Sequence, residues 1–387
     1  MFSSRVSEAG RNRLALAVDE RRSAGLPILD LTESNPTGVG FDYPPNLLAC
    51  LSQPAALKYR PAPFGLQQTR EAVAADFARR GVEVEAGRIV LTASTSEAYS
   101  ILLKLLCDAG DRVLAPRPSY PLIEHLTALD SVAVVQYPLE FHGRWAIDFD
   151  GIGRSMSELH PRALIAINPN NPTGSVLTRT ELNDLTSIAA REDAALIVDE
   201  VFADYPISLP SVPSALSQST ALTFVLGGLS KSVGLPQVKL GWIGVSGPAD
   251  LVSAALERLE TICDTYLSVG TPVQVAATSL LDCGAAIRSQ IQRRIVENDS
   301  TLRIMASTFP ACTVLPTEAG WYSVVQVPAV QTEEMLVVRL LQQCGVLVHP
   351  GYFFDFDREA FLIVSLLTEP SMFSAGVNTM FAELDRM

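Results

Sequence analysis

The chain has 387 residues, which suggests two lobes rather than one simple core. Hydrophobic residues make up 48% and charged residues 18%, an ordinary globular composition with ample material for a core. The formal net charge of -13, with no Lys/Arg-rich run, argues against a nucleic-acid binder and is the charge of a simply soluble chain.

The N-terminal stretch MFSSRVSEAGRNRLALAVDERR mixes charges throughout and lacks the apolar core of a signal peptide. No apolar run is long enough to span a bilayer, so a soluble cytoplasmic protein is expected. Next comes ILDLTESNPTGVG, with Ser34 and the first of two NPTG strings, Asn35 to Gly38. Asn, Pro and Gly there are turn chemistry, and a substrate contact from Asn35 stands beside that reading.

The middle of the chain repeats one pattern. A short apolar run ends in a loop of small, polar or Pro/Gly residues, and a helical stretch follows. RIVLTASTSEAYSILLKLLCDAG, RVLAPRPSYPLIEHLTAL, ALIAINPNNPTGSV, AALIVDEVFADY and LTFVLGGLSKSVG all show it. Runs that are apolar throughout are strands covered on both faces, so a mostly parallel sheet wrapped by helices is expected. Ligands gather at the carboxyl ends of such strands, which brings distant polar residues together. From about Thr271 a long helical stretch leads to the strand-like WYSVVQVP and FLIVSLL, a second α+β lobe. The expected division is a large domain over 46–270, with 1–45 and 271–387 forming a smaller one.

Several familiar chemistries fail on spacing. VLGGLSKSVG has Ser230 where a phosphate-binding P-loop needs Gly before the Lys. No GxGxxG follows a strand, and no GxSxG nucleophile elbow occurs. The six cysteines form no CxxC pair and the four histidines no HExxH, so neither a disulfide framework nor a metal site is suggested. What remains is a set of strand-end residues. Asp199 ends a buried run in VDE, and a buried carboxylate needs a cation or a donor. Lys231 follows the next run and is a candidate covalent amine; a plain salt bridge between the two is the competing reading. Ser94, Thr95 and Ser96 precede a helix, either as caps or as a phosphate cradle. Tyr120 in RPSYP is core packing or a stacking platform.

In this order, Tyr59 to Gly65, TASTSEA, PSYP, NPNNPTG, DEVF and SKSVGLPQVKLGW resemble the class I/II aminotransferases, fold-type I pyridoxal-phosphate (PLP) enzymes. The resemblance covers nearly the whole chain. It implies that Lys231 forms the internal aldimine and shuttles a proton, and that Asp199 pairs with the pyridine nitrogen. Asn171 would donate to the ring oxygen, and Tyr120 would stack on the ring. Ser94, Thr95, Ser96 and Ser230 would hold the phosphate, with Tyr59 reaching it from the other subunit of a homodimer.

The chain departs from the family at four places. Phe202 stands where the family has a Tyr donating to the ring oxygen. Lys239 stands where an Arg grips the phosphate, and loses its bidentate fork. Ser94 replaces a Gly. Ile363, in FLIVSLLTEP, occupies the place of the Arg that grips the substrate α-carboxylate, so another group must hold the substrate, or the substrate lacks that carboxylate. Ser34 and Asn35 are the substrate-side residues to examine. The implied reaction is ping-pong transfer of an amino group between an amino acid or amine and a keto acid. A C–S or β-eliminating lyase on the same fold, and a PLP-binding protein without turnover, are the alternatives.

Overall fold

In the computed structural model, which describes residues 2–6 and 10–387, the apolar runs of the middle of the chain become one sheet. Its strands follow Leu29–Asp30 (β1) in the chain. They are Ile89–Thr92 (β2), Arg112–Arg117 (β3), Ala133–Phe141 (β4), Trp145–Ile147 (β5), Ala163–Ile167 (β6), Ala195–Asp199 (β7), Thr223–Gly228 (β8) and Gly241–Ser246 (β9). They lie in the order β2-β9-β8-β7-β6-β3-β4-β5. The run β8-β7-β6-β3-β4 is parallel throughout. Only β9, between β2 and β8, and the edge strand β5 run antiparallel to their neighbours.

Every residue of β6 and β8 is buried. Alternate residues serve two separate cores. Leu164, Leu196 and Val225 pack on one face. Ile165, Ile197 and Phe224 pack on the other. A strand sandwiched this way has no polar face, which is why the sequence reads as continuous apolar runs. The parallel strands all end at one edge, where Ile167 pairs with Asp199 and Asp199 with Leu226.

A second sheet comprises Thr313–Val314 (β10), Tyr322–Gln326 (β11), His349–Pro350 (β13) and Phe361–Ser365 (β14), in the antiparallel order β10-β11-β14-β13. The remaining strand, Val346–Leu347 (β12), pairs in parallel with β1 near the start of the chain. The loop after β1 is then stitched in place. Leu31 donates to Leu347, and Ser365 donates to Leu31. A 36-residue helix, Thr271–Ala306, runs between the two parts of the chain.

The end of β7 is braced by Glu200. Its carboxylate accepts from Arg80 Nη2 at 2.7 Å and from Ala215 N at 2.8 Å, in a nearly water-free setting. Removing one partner of such a pair strands the other charge. Glu200→Ala is therefore expected to destabilise the protein by about 3 kcal/mol or more, read from the urea midpoint at unchanged slope. A loss under about 1 kcal/mol would show that the pair does not brace the strand.

Candidate active site

A cavity of about 720 Å³ opens where β6, β7 and β8 end, and Thr95, Tyr120, Asn171, Asp199, Phe202 and Lys231 line it. Lys231 reaches it because β8 ends in two glycines. A Cβ at Gly227 would lie 2.4 Å from Trp242 Nε1. The chain then turns into the short helix Leu229–Ser232. Tyr205, fully buried, donates its hydroxyl to the carbonyls of Lys231 at 2.6 Å and Ser232 at 3.1 Å, which fixes that turn.

The Lys231 amine lies 4.9 Å from the centre of the Trp321 ring and 5.5 Å from that of Phe202. It has no hydrogen bond or ion pair among the described residues. Burial pulls its pKa down to about 8, with the charge of Asp199 opposing that pull. Burial also pushes Asp199 up to about 6, against the Val201 N–H and the Tyr99 hydroxyl, which favour its charged form. Val201 N donates at 3.1 Å, and Tyr99 Oη donates at 3.3 Å. Tyr99 is 2% exposed, and its own proton is held tightly by burial and by the facing carboxylate.

Asn171 emerges from the loop after β6. Its neighbours hold that loop: Asn170 donates to Pro118 O and to Thr173 Oγ1, and Asn168 donates to Pro213 O while accepting from Leu177 N. Gly174, at φ +68°, presses against Thr317 and Ala319 where any side chain would collide. The Asn171 side-chain oxygen is buried with no partner. On the opposite side, the helix Thr95–Leu106 begins at the cavity, and Thr95 forms part of the wall. The Ser94 hydroxyl caps that helix by accepting from Glu97 N. The first-turn N–H groups of Thr95 and Ser96 have no acceptor within the helix.

The other expected residues divide. Ser34 lines the cavity. Ser94, Ser96 and Ser230 do not line it, although Ser94 packs against Gly241 beside it. Lys239 is exposed, with φ 60°, and unpaired among the described residues. Tyr59 is 73% exposed and sits in a separate groove.

Two expected substrate-side residues lie off the cavity wall. Asn35 is exposed and spends its side-chain oxygen on Thr37 N and Thr37 Oγ1, so it is a turn residue and not part of the wall. Ile363 is wholly buried on the central strand β14, between β11 and β13, and is not among the residues that line the cavity. The wall on that side instead carries Asp30, Glu33, Tyr322 and His349, none of which the sequence singled out for catalysis or binding.

This donor set suits pyridoxal phosphate. An unpaired buried amine can bond its aldehyde, and a deeply set carboxylate calls for a cation such as a protonated ring nitrogen. The buried Asn171 side-chain oxygen lacks a partner within the chain, and a helix N-terminus suits a phosphate. Fold and site together define a pyridoxal-phosphate enzyme of fold-type I.

Comparison with known proteins is more specific. The family model described as aminotransferase class I and II matches residues 46–372, and the chain belongs to that family. The glutamate-pyruvate aminotransferase AlaA of Haemophilus influenzae is 26% identical over 364 residues, spanning 91% of this chain and 89% of that protein. An Escherichia coli aminotransferase structure superposes with a TM-score of 0.87 at 23% identity, over 99% and 98% of the two chains. An alanine aminotransferase from Pyrococcus furiosus gives 0.88 at 21%, over 97% and 96%. The chain is thus a pyridoxal-phosphate-dependent aminotransferase, and the alternatives of lyase or inert binder are not favoured.

Tyr99 is the contact that the sequence did not single out. Removing its hydroxyl takes a donor from the Asp199 carboxylate and raises that pKa further. In Tyr99→Phe the pH below which PLP affinity falls is expected to move up by about one unit, measured by cofactor fluorescence titration. An unmoved pH profile would show that the 3.3 Å contact does not tune Asp199.

Proposed function

We propose that the residues at the strand ends divide the work of transamination as follows. Pyridoxal phosphate, when bound, supplies an electron sink for the pair left on the donor's α-carbon. Asp199 holds the ring nitrogen in its protonated form. Lys231, the amine nearest the reacting bonds, moves the proton at that α-carbon. Asn171 donates to the ring oxygen, and Tyr120 covers one ring face. Phe202 contributes an apolar wall where the family resemblance implies a hydroxyl, so Asn171 acts there without that second donor. The N–H groups of Thr95 and Ser96, with the hydroxyls of Ser94, Ser96 and Ser230 and the charge of Lys239, neutralise the phosphate.

The protein acts as a homodimer with shared sites, Tyr59 of each subunit reaching the phosphate of the other. The exposure of Tyr59, away from its own cavity, supports this reading. The large domain spans 46–270, and 1–45 with 271–387 forms the smaller one; the β1–β12 pairing supports that division. Partners are an amino donor and a small keto-acid acceptor, as the name of the Haemophilus influenzae relative suggests. We place the protein in the cytoplasm. Its six cysteines are all unpaired thiols, as a reducing compartment keeps them. No helix among the described residues is long and apolar enough to cross a membrane.

The observation that carries the reading is the buried, unpaired Lys231 amine across the cavity from Asp199. Lys231→Ala is expected to lose the absorbance band of covalently held cofactor and to slow amino transfer by about a thousandfold. A surviving band, or a keto product released with ammonia in the absence of any acceptor, would contradict the assignment.

A further inference from the structure

One buried carboxylate lies outside the cofactor cavity and faces no cation. Glu333 opens the helix Glu333–Arg339 and is 2% exposed. The ion pairs of that helix belong to its neighbours, Glu334 with Arg13 and Arg339 with Glu383; Glu333 has none among the described residues. Its two oxygens instead take one backbone donor each. Oε2 accepts Tyr352 N at 2.8 Å, and Oε1 accepts Phe361 N at 2.8 Å. Burial pushes its pKa up; the N–H groups of Phe361, Tyr352 and Ala360 favour the charged form, and the charge of Glu359 opposes them. The approach is close, since a Cβ at Gly351 would lie 2.9 Å from Oε1. A buried carboxylate satisfied in this way holds its donors as firmly as they hold it.

Those two donors stand at opposite ends of one irregular segment, 351–361. It opens with the short turn Gly351–Phe354 and closes where β14 begins. Asp355 and Ala360 within it stand at φ 58° and 103°, conformations that persist only where the surroundings impose them. Phe353 and Phe354, carried by the opening turn, line the cavity. Phe354 O accepts Ser119 N at 2.8 Å, and the Phe354 ring lies 6.4 Å from that of Tyr120. Contact therefore runs from Glu333 through the backbone of 351–361 to the aromatic wall beside Tyr120. The loop that carries Tyr120 has a tie of its own, because Asn170 donates to Pro118 O. Loosening 351–361 thus moves the wall and leaves the cofactor contacts in place.

We propose that Glu333 is a positioning residue for transamination: by stapling both ends of 351–361 it fixes the Phe353–Phe354 wall, and so sets which donor side chains the cavity admits. This rests on the aminotransferase reading of the same cavity and adds the device that makes it selective.

The test uses the purified holoenzyme and two variants that break the staple from opposite sides. Glu333→Gln keeps the shape but sets an amide NH2 against one of the two N–H donors. Tyr352→Pro deletes one donor at an exposed position and leaves the buried carboxylate untouched, so it serves even where Glu333→Gln fails to fold. Glu334→Gln, on the same helix, is the control. Single-turnover half-reactions with L-alanine, L-leucine and L-glutamate follow conversion of bound cofactor to the pyridoxamine form by absorbance. In the unaltered enzyme the half-saturating concentrations of alanine and leucine are expected to differ about fivefold or more. In both variants that ratio should move toward one by about fivefold, with limiting rates kept within about twofold and the cofactor band unchanged. Amide hydrogen exchange of peptides covering 351–361 should be about tenfold faster in both variants and unchanged in the control. An alanine-to-leucine ratio near one in the unaltered enzyme, or an unmoved ratio in the variants, would overturn the selectivity role. Unmoved exchange would overturn the staple itself. No conversion with any of the three amino acids would overturn the aminotransferase reading, and with it the selectivity role, while exchange still decides the staple.

Discussion

The site depends on keeping one amine dry. Lys231 sits against Trp321 and Phe202 without an acceptor of its own, and burial lowers its pKa far enough to leave a useful share of neutral amine near pH 8. Asp199 is the other half of the constraint. It is close enough to raise the lysine, yet held by the Val201 N–H and the Tyr99 hydroxyl rather than by a salt bridge with it. A direct ion pair would have satisfied both charges and disabled both groups. The competing salt-bridge reading of these two residues therefore fails on geometry: the structure contains no such pair among the described residues.

This separation is a product of topology. β7 and β8 are parallel neighbours, so Asp199 and Lys231 leave the sheet at the same edge, but at different distances past their strands. Asp199 is the last residue of β7, whereas Lys231 lies three residues beyond the end of β8, in a helical turn pinned by Tyr205. The glycines at 227 and 228 let that turn pass Trp242 and Leu240. Asn171 enters from β6 on the other side, on a loop held by Asn168 and Asn170. Of the three asparagines in NPNN, two serve the loop and one is left for a ligand.

Much of this could be read in the sequence, because it is local. Apolar runs without a polar face specify a buried parallel sheet, and polar residues placed directly after them must meet at its edge. What escaped is what depends on distant pairing. Tyr99 lies inside an apolar helical stretch, where a tyrosine reads as core; only the packing of that helix against β8 and β9 brings its hydroxyl to Asp199. Asp30 and His349 are more than 300 residues apart and meet because β1 pairs with β12. Ile363 was expected at the substrate wall because the family resemblance implies an Arg there. A long Arg can reach past its neighbours into a cavity, whereas an Ile at the same register is simply covered. Asn35 and Asn171 stand in identical NPTG strings with opposite outcomes. The string encodes turn chemistry, and only the strand preceding the second copy puts its Asn at the cavity.

The burial of Lys231 is tested most directly by the pH dependence of the rate at which the apoprotein captures pyridoxal phosphate. Capture requires the neutral Lys231 amine, and a lowered pKa moves the rise in rate to lower pH. The half-maximal rate is expected near pH 8. A rise that begins only near the ordinary lysine value of 10.5 would mean that Lys231 is neither buried nor tuned as described.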